Sequence, residues 1–234
     1  GAVTVDGQKY ACRVVDFNAN TRFDDSEADR RNCDRIYLAP PAEADRPASE
    51  DSEATRYVGK YIEVGGKLHL LTVSQDGAFV QFAPAEPPIE GTIRVPEGVD
   101  EFSVFGPMGN FICKPTDGLA RVPAGEYWLD RWRLSRTDDA GARWTVFDNG
   151  NMMFKAFTVE ANKPAEPDFA EPLLWEVSVG SGETPREHMI NVAARTSKKD
   201  YVQMTFNGGR APPPKVRIVS ADGKYDKTFS MEYG

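Results

Sequence analysis

The amino-acid sequence predicts an all-β protein, built from antiparallel β-sandwich modules that follow an N-terminal hairpin and meander domain. Three observations indicate this fold. Short apolar runs of about four to eight residues alternate with turn residues along the chain. Dipeptides that favour tight hairpins, such as Asp6-Gly7 and Asp76-Gly77, separate several of these runs. No stretch with the apolar period of a helix exceeds two turns.

The N-terminal module is predicted to span residues 1–88. A polar stretch over residues 39–55, rich in Pro, Ala, Glu, Asp and Ser, is expected to form a long surface loop. The prolines at 84, 87 and 88 then break the chain and mark the domain boundary. The strands predicted for this module cover residues 2–5, 9–15, 34–38, 57–64, 67–73 and 78–82.

Two further modules are predicted, a β-sandwich over residues 89–162 and a second sandwich-like module over residues 163–234. Both are expected to have the immunoglobulin-like pattern of short strands separated by turns. The strands predicted for the middle module cover residues 91–95, 101–105, 111–113, 119–122, 126–134, 143–147 and 154–159. Those predicted for the last module cover residues 173–179, 189–194, 201–206, 215–219 and 227–233.

Charge and hydropathy exclude two classes of partner. The 234-residue chain has a net charge of -8 and no basic stripe that could neutralise nucleic-acid phosphates. No apolar run approaches the ~18 residues of a membrane span. The expected partner is therefore a protein or a glycan, and the sequence does not identify it.

Catalytic motifs are missing from the sequence. The two histidines, His69 and His188, lie in different predicted modules, whereas a nucleophilic triad needs a histidine beside an activated Ser or Cys. No nucleophile elbow, phosphate loop or zinc-binding helix motif occurs. His69 lies in an alternating strand and is expected to be a surface residue or a hydrogen-bonded core residue. We therefore predict that the protein is not an enzyme.

One acidic segment, residues 16–27, has the spacing of a twelve-residue calcium-binding loop. Such a loop places oxygen ligands at positions 1, 3, 5, 7, 9 and 12, the seventh through its backbone carbonyl. The segment resembles the loop of an EF-hand, and the predicted cofactor is one structural Ca²⁺. The predicted ligands, counted from position 1, are Asp16, Asn18, Asn20, Arg22, Asp24 and Glu27.

A metal-free turn is the alternative for this segment. Position 6, where glycine is expected, is Thr21, and a β-branched residue resists positive φ. The apolar runs on either side are too short for EF-hand helices, so the loop is expected at the tip of a hairpin. In the alternative, the Asp and Asn side chains hydrogen-bond their own backbone. Two neutral amide ligands would place a calcium site in the weak range of roughly 10⁻⁴ to 10⁻³ M.

The cysteines allow two interpretations. Cys12 and Cys33 bracket the acidic loop on runs that are expected to pair. In an oxidising compartment they could form a disulfide worth about 3 kcal/mol in the chain-entropy model, which would leave Cys113 single. The alternative is three buried, reduced thiols.

The middle module contains a group of aromatic residues, Tyr127, Trp128, Trp132 and Trp144. Exposed aromatic rings on a β-sandwich can hold sugar faces, so a carbohydrate-binding module is the alternative function. Aromatic stripes also form sandwich cores, and the sequence leaves both interpretations open.

Several motifs resemble known families. Residues 117–127, Asp-Gly-Leu-Ala-Arg-Val-Pro-Ala-Gly-Glu-Tyr, resemble the carboxypeptidase-regulatory-like or transthyretin-like β-sandwich, whose modules are structural or binding appendages. A second set of motifs is similar to a group of exported bacterial multi-module β-proteins of uncharacterised function. This set comprises the acidic loop, Gly-Lys-Tyr-Ile at 59–62, Gly-Gly-Lys at 65–67, Ala-Gly-Glu-Tyr at 124–127 and Phe-Ser-Met-Glu-Tyr-Gly at 229–234. The second resemblance implies a periplasmic or extracellular location and no activity. We therefore expect a non-catalytic, exported binding or scaffolding protein.

Overall fold

The computed structural model of the protein describes residues 1–26, 32–40, 43, 54–148, 156–169, 173–182, 184 and 187–232. Within these residues the chain forms β-strands and no α-helix, which confirms the all-β prediction. The described residues also contain no helix long and apolar enough to cross a membrane. The strands are β1 (Ala2–Val5), β2 (Gln8–Val15), β3 (Arg35–Ala39), β4 (Thr55–Tyr57), β5 (Tyr61–Val64), β6 (Lys67–Val73), β7 (Val80–Pro84), β8 (Glu90–Arg94), β9 (Val99–Gly106), β10 (Gly109–Cys113), β11 (Leu119–Pro123), β12 (Gly125–Thr137), β13 (Arg143–Asp148), β14 (Phe157–Val159), β15 (Leu174–Ser181), β16 (His188–Arg195), β17 (Val202–Phe206), β18 (Gly209–Arg210), β19 (Lys215–Val219) and β20 (Asp226–Ser230).

The chain divides into two compact units. The first consists of Gly1–Trp132 with Met153–Phe169, and the second of Arg133–Met152 with Ala170–Gly234. The predicted boundary at residue 88 lies inside the first unit, where β5 and β10 pair in parallel. The division into three modules stays a prediction. Most of the predicted polar loop at 39–55 lies outside the described residues.

A β-sandwich lies in the first unit. Strands β1 to β4 form one antiparallel sheet in the order β1-β2-β3-β4, while β5, β6 and β7 belong to a sheet in the order β12-β9-β10-β5-β6-β7. Apolar side chains from both sheets pack into one core, where Ile36 and Ile62 are almost completely buried. The other buried core members are Val5, Cys12, Val58, Val64, Leu71 and Val73.

The single strand predicted over residues 57–64 is wrong, because the structure divides it into β4 and β5, which belong to different sheets. The chain crosses between the sheets at Gly59. A Cβ atom at this residue would lie 2.6 Å from the Cα atom of Gly109, so only glycine allows the two backbones to approach this closely. The backbone N–H of Lys60 then donates to Pro107 O at 3.0 Å, which leads the chain into its new sheet.

The last residues of the first unit return to its core. Strand β14 pairs with the beginning of β12, and Val159 at its end is buried. Phe169 is also buried, and its ring meets Phe102 edge to face with centroids 5.7 Å apart. Strands β8 and β11 form a separate antiparallel pair in this unit.

The second unit has little buried apolar surface. After residue 132, β12 pairs with β13, β13 with β17, and β17 with β18. Two further antiparallel hairpins are β15–β16 and β19–β20. The buried apolar side chains that the structure describes in this unit are Leu134, Val146 and Ala211.

Candidate functional site

The acidic loop follows β2 and returns to the sheet just before β3. It connects two antiparallel neighbours, as the hairpin prediction requires. The structure describes the loop from Asp16 to Ser26 and again from Asn32. Glu27, the predicted twelfth-position ligand, lies outside the described residues, so the complete ligand set stays a prediction.

Asp16 organises the first half of the loop. Its carboxylate accepts the backbone N–H of Asn20 at 3.1 Å and that of Thr21 at 2.7 Å. Thr21 has a φ of 70°, and Ala19 has a φ of 56°. Thr21 therefore adopts the left-handed conformation for which glycine is normally used, and the Asp16 carboxylate holds it there.

The amide side chains of Asn18 and Asn20 form two consecutive side-chain turns. Asn18 Oδ1 accepts the N–H of Asn20 at 3.2 Å, and Asn20 Oδ1 accepts the N–H of Arg22 at 2.8 Å. Their amide nitrogens both donate to Asp25 Oδ2, at 3.0 Å and 2.7 Å. Asp25, which the ligand spacing leaves out, is therefore the carboxylate on which the loop converges.

A positive charge already lies among the loop carboxylates. The Arg22 guanidinium is 3.1 Å from Asp24 Oδ1, and its Nε is 3.5 Å from Asp25 Oδ1. The oxygen donors suit a hard cation such as Ca²⁺. However, bound Ca²⁺ would compete with this guanidinium, and the two asparagine amides would have to turn their oxygens inward. Among the described residues, no three His, Cys, Asp or Glu side chains form a group that could hold a metal ion.

Asp34, just before β3, holds the acidic loop against the first unit through hydrogen bonds. Its carboxylate is fully buried and accepts the N–H groups of Phe17 at 3.0 Å and Asp25 at 2.9 Å. Burial raises the pKa of this carboxyl. The Cys33 Sγ lies 3.4 Å from the carbonyl oxygens of Asp25 and Val58, which share its single S–H donor. The two segments that flank the loop are thus fastened through buried polar contacts.

A run of stacked groups continues from the loop into the first unit. The Arg35 guanidinium lies 4.1 Å from the ring centre of Phe17 and 3.9 Å from that of Tyr57. Tyr57 packs on Phe105 with centroids 4.9 Å apart, and Phe105 packs on Trp128 at 5.8 Å. Sequence reasoning missed this stack, because its five members come from five separate segments of the chain. The sequence signal for it was the position of Phe17, an aromatic residue near the start of the acidic loop.

All three cysteines are free and buried, which matches the reduced-thiol alternative. Burial raises the pKa values of the Cys33 and Cys113 thiols to about 12. Cys113 lines a cleft of about 470 Å³ that Glu63, Lys114 and Arg121 also border. Because this thiol stays protonated at neutral pH, it is a poor nucleophile.

The predicted aromatic group divides between the core and the surface. Tyr127 and Trp132 are buried, whereas Trp128 and Trp144 are partly exposed. The Trp144 indole N–H donates to Asp138 at 2.9 Å. The carbohydrate-binding alternative stays a prediction, and Trp128 and Trp144 are the tryptophans of this group that could contact a sugar.

His69 is a core histidine with polar neighbours. It is buried, its Nδ1 lies 3.1 Å from Lys67 O, and its Nε2 lies 3.5 Å from Asp6 Oδ1. His188 lies in the second unit, on the exposed start of β16. Among the described residues, neither histidine forms a hydrogen bond with a Ser or Cys side chain.

An apolar face of the β15–β16 hairpin is exposed among the described residues of the second unit. Trp175, Val177 and Val179 alternate along β15, and they are 59%, 56% and 66% exposed. Their direct cross-strand partners on β16 are Ala194, Val192 and Ile190. Directly opposed residues share one face of an antiparallel pair. We call these six side chains the β15–β16 apolar face. The alternation was visible in the sequence, but its exposure was not.

The opposite face of this hairpin is mixed, because the exposed apolar side chains of Leu174 and Met189 lie there beside polar and charged ones. Glu176 and Arg195 form an ion pair there, and the Arg195 guanidinium lies 3.6 Å from the ring centre of Tyr201.

Comparison of the chain with protein-family models, with curated proteins and with solved structures gives no match.

Proposed function

We propose that this chain is a non-catalytic, exported protein that works by binding or scaffolding, and that it binds through the β15–β16 apolar face. The observation that carries the proposal is the exposure of Trp175, Val177 and Val179 on one side of a two-stranded hairpin. Contiguous exposed apolar patches on folded proteins mark interaction sites. The exported location rests on the resemblance of the acidic loop and strand motifs to exported bacterial β-proteins.

The energetics favour a covered state of this face. A two-stranded hairpin is marginally stable in water unless a further layer covers its apolar side. Covering apolar surface is favourable by about 25 cal/mol per Å², or about 1.5–3 kcal/mol for each large side chain that becomes fully buried. A protein partner with its own apolar surface would supply that layer. Polar residues on the opposite face, such as Ser178 and Asn191, would remain in water.

Site-specific photo-crosslinking in the producing cells tests this proposal. A photoreactive residue at position 177 should give crosslinked adducts in the periplasmic or extracellular fraction. The matched control is position 219, because Val219 is also a valine on an exposed strand, 52% exposed. Adducts at 177 and none at 219 are expected. Equal labelling at both positions, or none at either, would overturn the proposed binding face.

We also propose that the acidic loop holds one structural Ca²⁺. The favouring observation is the φ of 70° at Thr21, the conformation that the sixth position of such a loop requires. Asp16, Asn18, Asn20, Asp24 and Glu27, with the carbonyl of Arg22, would hold the ion. Its chemical contribution would be to neutralise the loop carboxylates and so stabilise the turn.

A further inference from the structure

Strand β15 has an open edge. It pairs with β16 over all eight of its residues, and no other strand that the structure describes pairs with it. Alternate residues of β15 therefore direct backbone N–H and C=O groups away from the hairpin. This edge borders the β15–β16 apolar face, so backbone hydrogen bonds and apolar contacts are available side by side.

This edge lacks the devices that usually block strand addition. Natural edge strands are shortened, or they carry lysine, proline or bulges. Strand β18 has two residues, β7 ends in Pro84, and β19 carries Lys215 and Arg217. Strand β15, Leu-Trp-Glu-Val-Ser-Val-Gly-Ser, has eight residues and one charge, Glu176, which is already paired with Arg195 of its own hairpin.

We propose that β15 pairs antiparallel with β15 of a second copy of this chain, with Val177 on the two-fold axis. This register places Trp175 opposite Val179 and Glu176 opposite Ser178. Apolar side chains then meet apolar side chains on one face, and the two Glu176 carboxylates do not face each other. The result is a four-stranded antiparallel sheet in the order β16-β15-β15-β16, with a continuous apolar face.

Neighbouring registers fit less well. Centring the pair on Glu176 would place two carboxylates directly opposite each other, which is destabilising. Shifting the centre by half a residue would put Trp175 on the same face as the polar residues of the second copy. Centring on Ser178 would leave Trp175 opposite Ser181. The charge and apolar pattern of β15 is therefore complementary to itself in the Val177-centred register, and this is why a second copy is the partner we infer.

The inference rests on the proposed function, because the second copy pairs with the edge that borders the β15–β16 apolar face and extends that face across the dimer. A single strand-to-strand contact buries less than the ~1,200 Å² of a stable interface. The dimer is therefore expected to dissociate on dilution, and its population must be measured over a range of concentrations.

Disulfide trapping tests the register. In an antiparallel pair, directly opposed Cα atoms lie about 4.5–5.5 Å apart, which is within disulfide range. Val177→Cys should thus give a covalent dimer under mild oxidation. Ser181→Cys is the matched control on the same strand, because its two copies would be eight residues, or about 27 Å, apart. The native cysteines are buried and should not react.

Sedimentation velocity of the full chain tests the association without a covalent bond. Val177→Lys should weaken dimerisation about tenfold or more, because it places two ammonium groups on the axis. Val219→Lys should leave it unchanged, because Val219 lies on β19, outside the proposed interface. Each variant is first checked for an unchanged circular dichroism spectrum.

Two results would overturn self-pairing. One is a wild-type chain that stays monomeric at all concentrations, and the other is oxidation of Val177→Cys no faster than that of Ser181→Cys. If position 177 still crosslinks to a different protein in cells, the proposed binding function stands and self-pairing alone is rejected. If position 177 gives no adduct of any kind while the purified chain dimerises, the cellular binding role fails instead.

Discussion

The Arg35 guanidinium lies 3.9 Å from the centre of the Tyr57 ring, and both residues come from neighbouring strands of the first sheet. The Tyr57 hydroxyl donates to the buried carboxylate of Asp130 at 3.2 Å, and the Ser103 hydroxyl donates to the same carboxylate at 3.0 Å. One aromatic ring therefore joins a buried cation to a buried anion. The acidic loop takes part in this arrangement through Phe17, the second ring against Arg35.

Replacing Arg35 by lysine should destabilise the first unit by about 1–2 kcal/mol, because a compact ammonium cannot stack flat on two rings. The measurement is a urea unfolding curve that follows the first unit. Arg13→Lys is the matched control, since Arg13 lies 5.2 Å from the ring centre of Tyr37 on a partly exposed strand. An equal decrease in the free energy of unfolding in the two variants would show that the stack around Arg35 adds no stability of its own.

Asp34→Asn should destabilise the protein by about 1–3 kcal/mol, although it removes a buried charge. An amide offers one acceptor oxygen, so the N–H of either Phe17 or Asp25 would face an N–H₂ group and remain unsatisfied. Thermal unfolding of the variant measures the loss. An unchanged melting temperature would mean that the two backbone donors find other acceptors.

If the acidic loop holds Ca²⁺, replacing Arg22 should increase the stabilisation that Ca²⁺ gives to the protein. The seventh position of the loop uses only its backbone carbonyl, so Arg22→Gln would keep all ligands while it frees Asp24 and Asp25 from the guanidinium. Millimolar Ca²⁺ should raise the melting temperature of chelator-treated wild-type protein, and should raise that of Arg22→Gln further by mass action.

Asp16→Ala is the control for the calcium experiment, because it removes the first ligand and should abolish the response in both backgrounds. If neither wild-type protein nor Arg22→Gln responds to Ca²⁺, the loop is a metal-free turn. Mg²⁺ at the same concentration tests whether the response is selective.

Acid should weaken the β12–β13 hairpin at its turn. The hydrogen bond from the Trp144 indole, followed by that from the Ala142 N–H, lowers the pKa of Asp138 below its usual value of 3.8. A lowered pKa in the folded state contributes stability that is present above pH ~4 and is lost as the pH falls through the folded value. An NMR titration of the Asp138 carboxyl should show this, and Trp144→Phe should raise its pKa.

Gly59→Ala should be strongly destabilising, by about 2 kcal/mol or more, because the added Cβ would lie 2.6 Å from a backbone atom of Gly109 that cannot move freely. Gly180→Ala is the matched strand control, since a Cβ there would have no atom within 4 Å. Melting temperatures of the two variants should therefore differ widely. Similar values would show that the two backbones can separate without cost.

Features that depend on residues close together in the sequence could be predicted. The hairpin at Asp6-Gly7 forms as predicted, with φ values of 50° and 80°, because the turn residues and the alternating strands on both sides act within a few residues. The spacing of the acidic loop also located the residues that organise it, since Asp16, Asn18 and Asn20 all take part in its turns.

The features that could not be predicted depend on contacts between distant segments, and no local sequence pattern encodes such contacts. The break between β4 and β5 depends on Gly109, which lies fifty residues after Gly59 along the chain. The convergence of the loop on Asp25 depends on Asp34, the residue just before β3, whose carboxylate accepts the backbone N–H of Asp25. Likewise, the exposure of Val177 depends on the packing of the whole second unit and not on the local alternation of β15.

The first unit is completed by residues 153–169, after the chain has already entered the second unit at residue 133. During synthesis from the N-terminus, the contact between Phe102 and Phe169 and the pairing of β12 with β14 therefore cannot form when residue 132 is added. They form only after 37 more residues (169 minus 132) have been synthesised. At about 5–20 residues per second this delay is roughly 2–7 s. A ribosome-bound chain that ends at residue 132 would thus expose apolar core surface to chaperones, and a stop codon placed there would not release a stable first unit.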